Sequence, residues 1–245
     1  MANVIYRPGG PALEYSAWGL NLVKSSIFET IRSCSVSCLY CYNGCGKENL
    51  QPGPTLKDNL LYDIEHQLPR LKRRIKPNER VHLTFVGELY DPEIPPIQRD
   101  ILGLFGKYEV PFQILTKCGT KAVGDFDLYF KGCRFGSTLT FDNTISSKQW
   151  EPNAALPQDR IKALRIAHES VIDTWVSLEP VIDPVQSLHL IDLTCEFVDF
   201  YGVGKLNHHP EIENSIDWHK YRVDAETKLI DYGNKYKIKQ ALKVV

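Results

Sequence analysis

Short runs of β-forming residues recur along the chain, and longer segments with apolar residues at helical spacing separate them. The runs are rich in Val, Ile, Phe and Thr, and several end in Gly or Pro, which favours β-strands. Six strands are predicted in this way: Ile27–Arg32, Val81–Val86, Phe112–Thr116, Arg134–Leu139, Thr174–Leu178 and Phe197–Val203.

The intervening segments have the spacing of amphipathic helices. In Thr55–Ile75, the apolar residues Leu60, Ile64 and Leu68 recur every three or four positions, and Thr55 is a suitable N-cap. Three further helices are predicted: Ile97–Tyr108, Pro157–His168 and Pro184–Thr194. The long loop Phe141–Leu156 is expected to contribute to a substrate entrance, since long loops in compact domains are often functional.

Strands that alternate with helices predict right-handed βαβ units and a parallel sheet. Six units are too few for a closed eight-fold barrel, so we expect the α/β class, as an open, partial (β/α)6 TIM-like barrel. The chain is predicted to form one domain, with residues 1–26 as an N-terminal extension, 27–205 as the barrel core and 206–245 as a closing segment of helix and strand. Its chemistry is expected at the carboxyl ends of the strands.

Charge and hydropathy limit the partners and the cellular location that we expect for the protein. The formal net charge of −1 gives no general attraction to nucleic acid or to an anionic membrane. A basic run from Arg70 to Lys76 is interpreted as the solvated end of a helix, with phosphate contact as the less favoured alternative. No apolar stretch approaches the ~18 residues that span a bilayer, and the N-terminus lacks the layout of a signal peptide. We therefore expect a cytoplasmic protein with no membrane partner.

The cysteines indicate metal or redox chemistry. A cytoplasmic chain keeps its thiols reduced, yet four of its seven cysteines lie within residues 34–45. The spacing Cys34-x3-Cys38-x2-Cys41 places three thiolates in one loop. Three thiolates can hold three irons of a [4Fe–4S] cubane and leave the fourth iron open.

The alternative is a zinc site made of Cys34, Cys38, Cys41 and Cys45 in a non-enzymatic binding module. Structural zinc usually takes two short cysteine pairs that are separated by a longer stretch. Four ligands packed this closely would strain a tetrahedral site. The cluster is therefore the favoured interpretation.

Cys-x3-Cys-x2-Cys with an aromatic residue before the last cysteine, here Tyr40, resembles the signature of the radical S-adenosylmethionine (SAM) superfamily. The segments ALEYSAWGLNL, ELYDPEIPPIQRDIL, WEPNAALPQDRIKAL and WVSLEPVIDP resemble the spore photoproduct lyase-like branch and radical SAM proteins carried by phages. One departure is visible, because relatives usually place Gly and often His around the first cysteine, whereas this chain has Ser33 before Cys34 and Ser37 before Cys38.

The resemblance implies a [4Fe–4S] cluster on Cys34, Cys38 and Cys41, with SAM chelated at the open iron. It implies that the cluster cleaves SAM reductively to a 5′-deoxyadenosyl radical, which abstracts hydrogen from a substrate. A reductant such as flavodoxin or ferredoxin, or dithionite in vitro, is the implied partner. The lyase-like branch implies a substrate related to nucleic acid or nucleotides.

Polar and glycine residues at the predicted strand ends are the further site predictions. By resemblance, Gly87 and Glu88 would bind the SAM amino group, Ser137 and Thr138 its ribose or carboxylate, and Gly202 and Val203 its adenine edge, near which Tyr40 would also pack. Glu179 is a carboxylate at a strand end, suited to ribose hydroxyls or substrate. Lys117 is a candidate counter-charge to the SAM carboxylate or a phosphate. Cys118 is a candidate hydrogen-atom donor, and its alternative interpretation as an ordinary strand-end residue is favoured.

Overall fold

An eight-stranded sheet forms the centre of the structure, a computed structural model that describes residues 3–24, 33–41 and 53–244. The order in the sheet follows the chain, and β1 pairs antiparallel with β2, while β2 to β8 are parallel. Among the described strands, β1 and β8 form the two edges, so the barrel is open, as predicted. The strands are β1 (Ile5–Tyr6), β2 (Trp18–Leu20), β3 (Val81–Leu83), β4 (Phe112–Ile114), β5 (Arg134–Thr138), β6 (Asp173–Leu178), β7 (Phe200–Val203) and β8 (Lys235–Ile238).

Helices connect the parallel strands and cover the sheet. Helix α5 has the predicted bounds, because Asp183 caps it by accepting hydrogen bonds from the backbone of Val185 and Gln186. The predicted tail of helix and strand is also present, as α7 and β8. The helices are α1 (Leu60–Lys72), α2 (Gln98–Lys107), α3 (Thr144–Trp150), α4 (Pro157–Glu169), α5 (Pro184–Thr194), α6 (Pro210–Glu213), α7 (Trp218–Asp231) and α8 (Gln240–Lys243), with 3-10 helices at Gly10–Glu14 and Gly119–Leu128.

Helix α1 begins five residues later than predicted. Leu56 forms a β-bridge with Val23, and the Lys57 amide donates to the Leu22 carbonyl at 2.9 Å. This extended pairing uses the backbone of the residues that the prediction assigned to the first turn. Thr55 is therefore not the N-cap, and Asn59 takes that position.

The first parallel strand lies in a segment that the prediction placed in the N-terminal extension. Trp18–Leu20 pairs with Val81–Leu83 and occupies the position beside β3. The predicted strand Ile27–Arg32 lies outside the described residues. Gly19 interrupts this short run, and glycine is depleted in strands, so the run lacks the continuous β-forming residues of Val81–Val86 and Phe112–Thr116.

The run Val81–Val86 ends as a strand at Leu83. Beyond that point the side chain of Asn21 replaces a neighbouring strand, because its Oδ1 accepts the amides of Phe85 and Val86 at 3.0 and 3.1 Å. The backbone donors stay satisfied while the chain leaves the sheet. The shortened strand brings the following segment to the carboxyl edge.

The concave face of the sheet contains aromatic and polar side chains. The ring of Tyr15, which follows the first 3-10 helix, lies 5.8 Å from Trp175 and 5.9 Å from His82. The Trp175 indole donates to the Ile114 carbonyl at 2.9 Å. A Cβ atom on Gly136 would lie 2.2 Å from Nε1 of Trp175, so only glycine leaves room for this ring.

Replacing Gly136 by Ala is expected to lower the free energy of unfolding by about 1–3 kcal/mol, because the added methyl group overpacks the barrel interior. Urea denaturation measures the change. Gly103→Ala is the control, since nothing lies within 4 Å of its Cβ position in α2 and it should stabilise by roughly 0.5–1 kcal/mol. Equal effects of the two substitutions would contradict the packing described here.

His82 makes stability depend on pH. Its side chain is 2% exposed, and burial, with a smaller contribution from the charge of Lys239, lowers its pKa to about 3. The unfolded chain, with a histidine pKa of about 6.5, binds a proton below that pH that the folded chain does not. Stability from this group is therefore complete above pH 6.5 and decreases as the pH falls towards 3.

Between pH 6 and pH 4, wild type is expected to lose roughly 2–3 kcal/mol more of its free energy of unfolding than His82→Gln does. The same carboxyl groups titrate in both proteins, so their contributions to the pH dependence of the free energy of unfolding cancel in the comparison. Urea denaturation at the two pH values measures it. Parallel losses in the two proteins would show that His82 is protonated in the folded state.

The basic run lies at the end of α1, which leads into the amino end of β3. The ammonium of Lys72 donates to the Glu109 carbonyl at 2.7 Å, and the Arg74 guanidinium lies 5.3 Å from the ring of Trp18. Both contacts are at the amino ends of strands, the end opposite the cysteine loop. Of the helices that the structure describes, none has the length and apolar character needed to cross a membrane.

Candidate active site

The cysteine loop, residues 33–41, lies at the carboxyl edge of the sheet against the segments that follow β3 and β5. Gly87 follows β3 with φ at +95°, and a Cβ there would lie 2.8 Å from the Ser33 carbonyl oxygen. Glycine is required at this position for both its backbone conformation and the close approach of the loop. The predicted residue Gly87 therefore borders the cysteines.

Asp91 anchors the first half of the loop. Its carboxylate accepts the backbone amide of Ser35 at 2.7 Å and the Ser35 hydroxyl at 2.6 Å. The same carboxylate accepts the Glu93 amide at 2.9 Å, which fixes its own orientation. Asp91 is 2% exposed, so these bonds form away from water, where an unpaired carboxylate would be costly.

Segment 150–155, which follows α3, holds the second half of the loop. The Leu39 amide donates to the Trp150 carbonyl at 2.9 Å, and the Asn153 side-chain amide donates to the Ser35 carbonyl at 2.8 Å. The Ala155 amide donates to the Lys117 carbonyl at 2.9 Å, which ties the same segment to the end of β4. The region expected to form a substrate entrance thus contains a helix and supports the cysteines, and its role at an entrance stays a prediction.

The thiols of Cys34 and Cys38 lie in an environment that disfavours bare thiolates. Cys38 is buried, Cys34 and Cys41 are half-buried, and the Cys41 amide donates to the Cys38 carbonyl at 3.1 Å. Burial raises the pKa of Cys34 and of Cys38, while the charge of Lys117 opposes the rise at Cys38. A metal that displaces the thiol protons would relieve the cost of ionising these groups.

Within residues 3–24, 33–41 and 53–244, no three His, Cys, Asp or Glu side chains are arranged to hold a single metal ion. A cubane cluster differs from such a site, because each cysteine binds a different iron. Cys45, the fourth ligand of the zinc alternative, lies outside the described residues.

Tyr40 contacts a buried ion pair. Its hydroxyl donates to Glu151 and lies 3.3 Å from the Thr140 hydroxyl. Glu151 pairs with Arg160 at 2.5 Å, and the two side chains are 0% and 1% exposed. Burial would raise the pKa of Glu151, but the charges of Arg160 and Lys117 outweigh burial and hold it below its usual value.

Glu88 is a buried carboxylate between the cysteine loop and the end of β4. It accepts the Thr116 hydroxyl at 2.7 Å and the amides of Lys117 and Tyr90 at 3.0 and 3.1 Å. Burial raises its pKa. Three of its four acceptor positions have donors among the described residues, which leaves room for one more.

Lys117 and Cys118 follow β4 beside this carboxylate. Although burial favours the neutral amine, the charges of Cys38 and Glu151 raise the pKa of Lys117, and its ammonium lies 5.6 Å from the ring of Tyr40. Among the residues the structure describes, no carboxylate forms an ion pair with it. Cys118 is buried, its pKa is raised chiefly by burial, and its amide donates to the Thr116 hydroxyl at 2.9 Å.

Other predicted residues have internal partners. The Ser137 hydroxyl donates to the Thr116 carbonyl at 2.8 Å, and the Thr138 carbonyl accepts from Arg160 at 3.0 Å. In β7, Gly202 lies opposite Ser177, and Val203 is buried with its carbonyl accepting the Lys239 amide at 2.8 Å.

Glu179 belongs to a separate group. It forms an ion pair with Lys239 and accepts the Tyr15 hydroxyl. The Lys239 ammonium also lies 3.4 Å from the centre of the Tyr15 ring, and burial lowers its pKa. Glu179 therefore has partners on both sides inside the barrel, whereas Tyr40, Gly87, Glu88, Lys117 and Cys118 adjoin the cysteine loop.

A pocket of about 200 Å³ opens at the amino ends of the strands. Arg80, Arg134 and Phe200 are among its lining residues. Arg80 and Arg134 both pair with Asp173, at 3.0 and 2.8 Å, so one carboxylate is shared between the two guanidinium groups. This pocket lies at the opposite end of the sheet from the cysteine loop.

Asp91 and the Glu151–Arg160 pair are site residues that sequence reasoning missed. Asp91 precedes a proline and fits an ordinary turn, and Glu151 and Arg160 fit a loop and a helix surface. Their partners lie elsewhere in the sequence, since Ser35 and Asp91 are 56 residues apart, and Tyr40 and Glu151 are 111 apart.

Among the comparisons with known proteins, the matching solved structures agree on the fold. No protein-family model matches the sequence, and no curated protein does. Streptococcus suis SuiB bound to S-adenosylmethionine superposes with a TM-score of 0.62 at 14% identity, over 86% of this chain and 49% of that chain. SuiB bound to precursor peptide SuiA gives 0.64 at 12% identity, over 86% of this chain and 47% of that one.

A variant of spore photoproduct lyase with bound AdoMet and dinucleoside spore photoproduct gives a TM-score of 0.69 at 12% identity, over 91% of this chain and 76% of that chain. This chain thus spans about half the length of SuiB and most of the lyase. It has their open α/β-barrel fold, which confirms the fold expected from the resemblance to the radical SAM superfamily.

Replacing Asp91 by Ala is expected to lower the free energy of unfolding by about 1–3 kcal/mol, because the Ser35 amide and hydroxyl lose a charged acceptor while buried. Amide hydrogen exchange should show faster exchange at Ser35 than in wild type. Asp100→Ala, at an exposed position of α2, is the control. Unchanged protection of Ser35 in Asp91→Ala would mean that the loop does not depend on this anchor.

Proposed function

We propose that this chain is a radical SAM enzyme that binds a [4Fe–4S] cluster through Cys34, Cys38 and Cys41. The observation that carries the proposal is the anchored cysteine loop at the carboxyl edge of an open α/β barrel. Solved structures of the same fold bind S-adenosylmethionine, namely SuiB and spore photoproduct lyase. The carboxyl edge is also where α/β barrels position their catalytic residues.

The donor set fits an iron–sulfur cluster. Three cysteines on one loop supply ligands for three irons, and burial makes the uncomplexed thiolates of Cys34 and Cys38 unfavourable. Lys117 and Arg160 carry two positive charges beside Cys38, against one negative charge on Glu151. This excess of positive charge favours an anionic group beside Cys38, whereas the charges of Glu88 and Asp91 oppose one beside Cys34.

SAM would occupy the space between the cysteine loop and the ends of β3 to β5. Glu88 has one acceptor position for an ammonium group, and a charged acceptor suits a partly buried amine. Lys117 is close enough to the cysteines to face a carboxylate. When bound, the cluster and SAM would supply a 5′-deoxyadenosyl radical for hydrogen abstraction, and the protein residues would bind SAM, orient it and exclude water.

The substrate proposal is a nucleic acid or a nucleotide, and it rests on the lyase-like resemblance. Spore photoproduct lyase binds a dinucleoside spore photoproduct, whereas SuiB binds a precursor peptide. The basic run at the end of α1 lies at the amino end of the barrel, so it would not draw a substrate phosphate to the cysteine loop. Recognition would instead depend on the loops at the carboxyl edge, and electrons would come from a flavodoxin, a ferredoxin or dithionite.

Anaerobic reconstitution is expected to give about four irons and four sulfides per chain, as in a [4Fe–4S] cluster. With dithionite and SAM, 5′-deoxyadenosine should form. Cys34→Ala, Cys38→Ala and Cys41→Ala should each abolish both results, because each removes the ligand of one iron. Iron analysis and chromatography of the nucleoside products measure them.

Two control variants separate the cluster from the zinc alternative. Cys195→Ala, at the end of α5 and away from the loop, should behave as wild type. Cys45→Ala should keep the cluster, whereas a four-cysteine zinc site would lose its metal. Stoichiometric zinc, no uptake of iron and a strict need for Cys45 together would refute the proposal in favour of a binding module.

A further inference from the structure

Tyr40 links the turn from Cys38 to Cys41 to the rest of the protein through its side chain, in addition to the backbone hydrogen bond that the Leu39 amide donates to the Trp150 carbonyl. Its ring lies between two of the cysteines in sequence, and its hydroxyl donates to Glu151. The Thr140 hydroxyl is 3.3 Å from both the Tyr40 and the Glu151 oxygens. The orientation of Tyr40 thus depends on where Glu151 is held.

Glu151 is held by Arg160, each of whose three guanidinium nitrogens donates a hydrogen bond. One nitrogen donates to Glu151 at 2.5 Å, a second to the Thr138 carbonyl at 3.0 Å and the third to the Ala155 carbonyl at 2.7 Å. These acceptors belong to β5 and to segment 150–155. Arg160 therefore connects the sheet to the segment that contacts the cysteine loop, with the fixed planar geometry of a guanidinium.

A pair of this kind contributes little to stability by itself. Desolvating two charges offsets most of their attraction, and apolar residues of similar volume often stabilise as well or better. A purely structural role would thus be served by simpler side chains. The contact of the pair with a tyrosine inside the cysteine triplet points to a role in the geometry of the metal ligands.

We propose that Glu151 and Arg160 are positioning residues, which hold the Cys38–Cys41 turn through the Tyr40 hydroxyl and thereby set how firmly the iron–sulfur cluster is retained. The inference rests on the proposed function. Partners of metal ligands commonly change metal affinity by about 10- to 100-fold when they are removed. Tyr40 is not itself a ligand, but it directly precedes Cys41 in the chain. Holding its side chain therefore constrains the position of that ligand in the same way.

The test measures loss of iron from the anaerobically reconstituted, full-length protein to an excess of a ferrous-iron chelator, without SAM. Tyr40→Phe keeps the ring and the ion pair and removes only the hydroxyl. It should lose iron about 10-fold faster than wild type, with an unchanged melting temperature. The electron paramagnetic resonance spectrum of the reduced cluster should also change, which a purely structural role would not cause.

A second variant removes the pair itself. Glu151→Met combined with Arg160→Met avoids leaving one buried charge alone and removes the acceptor of the Tyr40 hydroxyl, and it should accelerate iron loss to a similar extent. Adding Tyr40→Phe to this variant should give no further acceleration, because the link is already broken. Asp173→Asn is the matched control, since it disrupts ion pairs with Arg80 and Arg134 at the amino ends of the strands and should leave the rate unchanged.

The outcomes separate this inference from the proposed function. Wild type that binds iron together with a Tyr40→Phe variant that loses it at the wild-type rate would overturn the inference alone. The inference would also be overturned if Tyr40→Phe and the double variant each accelerated iron loss and the two factors multiplied when the changes were combined. Wild type that takes up no iron would overturn the proposed function and the inference with it. Tyr40→Phe decides the question even where the double variant fails to fold.

Discussion

The cysteine loop must satisfy its backbone hydrogen bonds without helix or strand partners, and the structure around the site is arranged to meet this constraint. Unpaired buried amides and carbonyls are costly, so an irregular loop needs partners from elsewhere. Asp91 accepts the Ser35 amide, Asn153 donates to the Ser35 carbonyl, and the Trp150 carbonyl accepts the Leu39 amide. The ends of β3 and β5 are close to the loop because parallel strands bring their carboxyl ends to one edge.

Charge is the second constraint at this edge. Burial disfavours the thiolates of Cys34 and Cys38, and Glu88 adds a further negative group that raises the pKa of Cys34. The positive charges of Lys117 and Arg160 act in the opposite direction on the pKa of Cys38. Such a balance suits a ligand set whose thiol protons are displaced by metal, since the loop alone does not stabilise three negative sulfurs.

The sequence indicated the parts of this arrangement that are local. The cysteine spacing lies within eight residues, and α5 was predicted with its bounds because Asp183 and Pro184 mark its start directly. The strand Trp18–Leu20 was missed because it is short and has a glycine at its centre, a residue that is depleted in strands. Helix α1 begins after Thr55 because residues 55–57 pair with the 22–24 segment, a tertiary contact that local propensity does not reveal.

In the candidate site, too, local features were predicted from the sequence and tertiary contacts were not. Gly87, Glu88 and Lys117 were predicted from their places at strand ends and adjoin the cysteine loop. Glu179 was predicted on the same grounds, yet it pairs with Lys239 inside the barrel, and this partner follows β8, 60 residues later in the chain. The Glu151–Arg160 pair gave no signal, since nine residues of loop and helix separate the two side chains and only the fold places Tyr40 against them.

Mössbauer spectroscopy of the iron-57-reconstituted protein, with and without SAM, tests the central claim most directly. Three cysteine ligands leave one iron of a cubane open, so SAM should change the signal of one iron in four and leave the other three as they were. Four irons that respond alike, or a spectrum that SAM does not change, would contradict a cluster held by Cys34, Cys38 and Cys41 with an open iron for SAM.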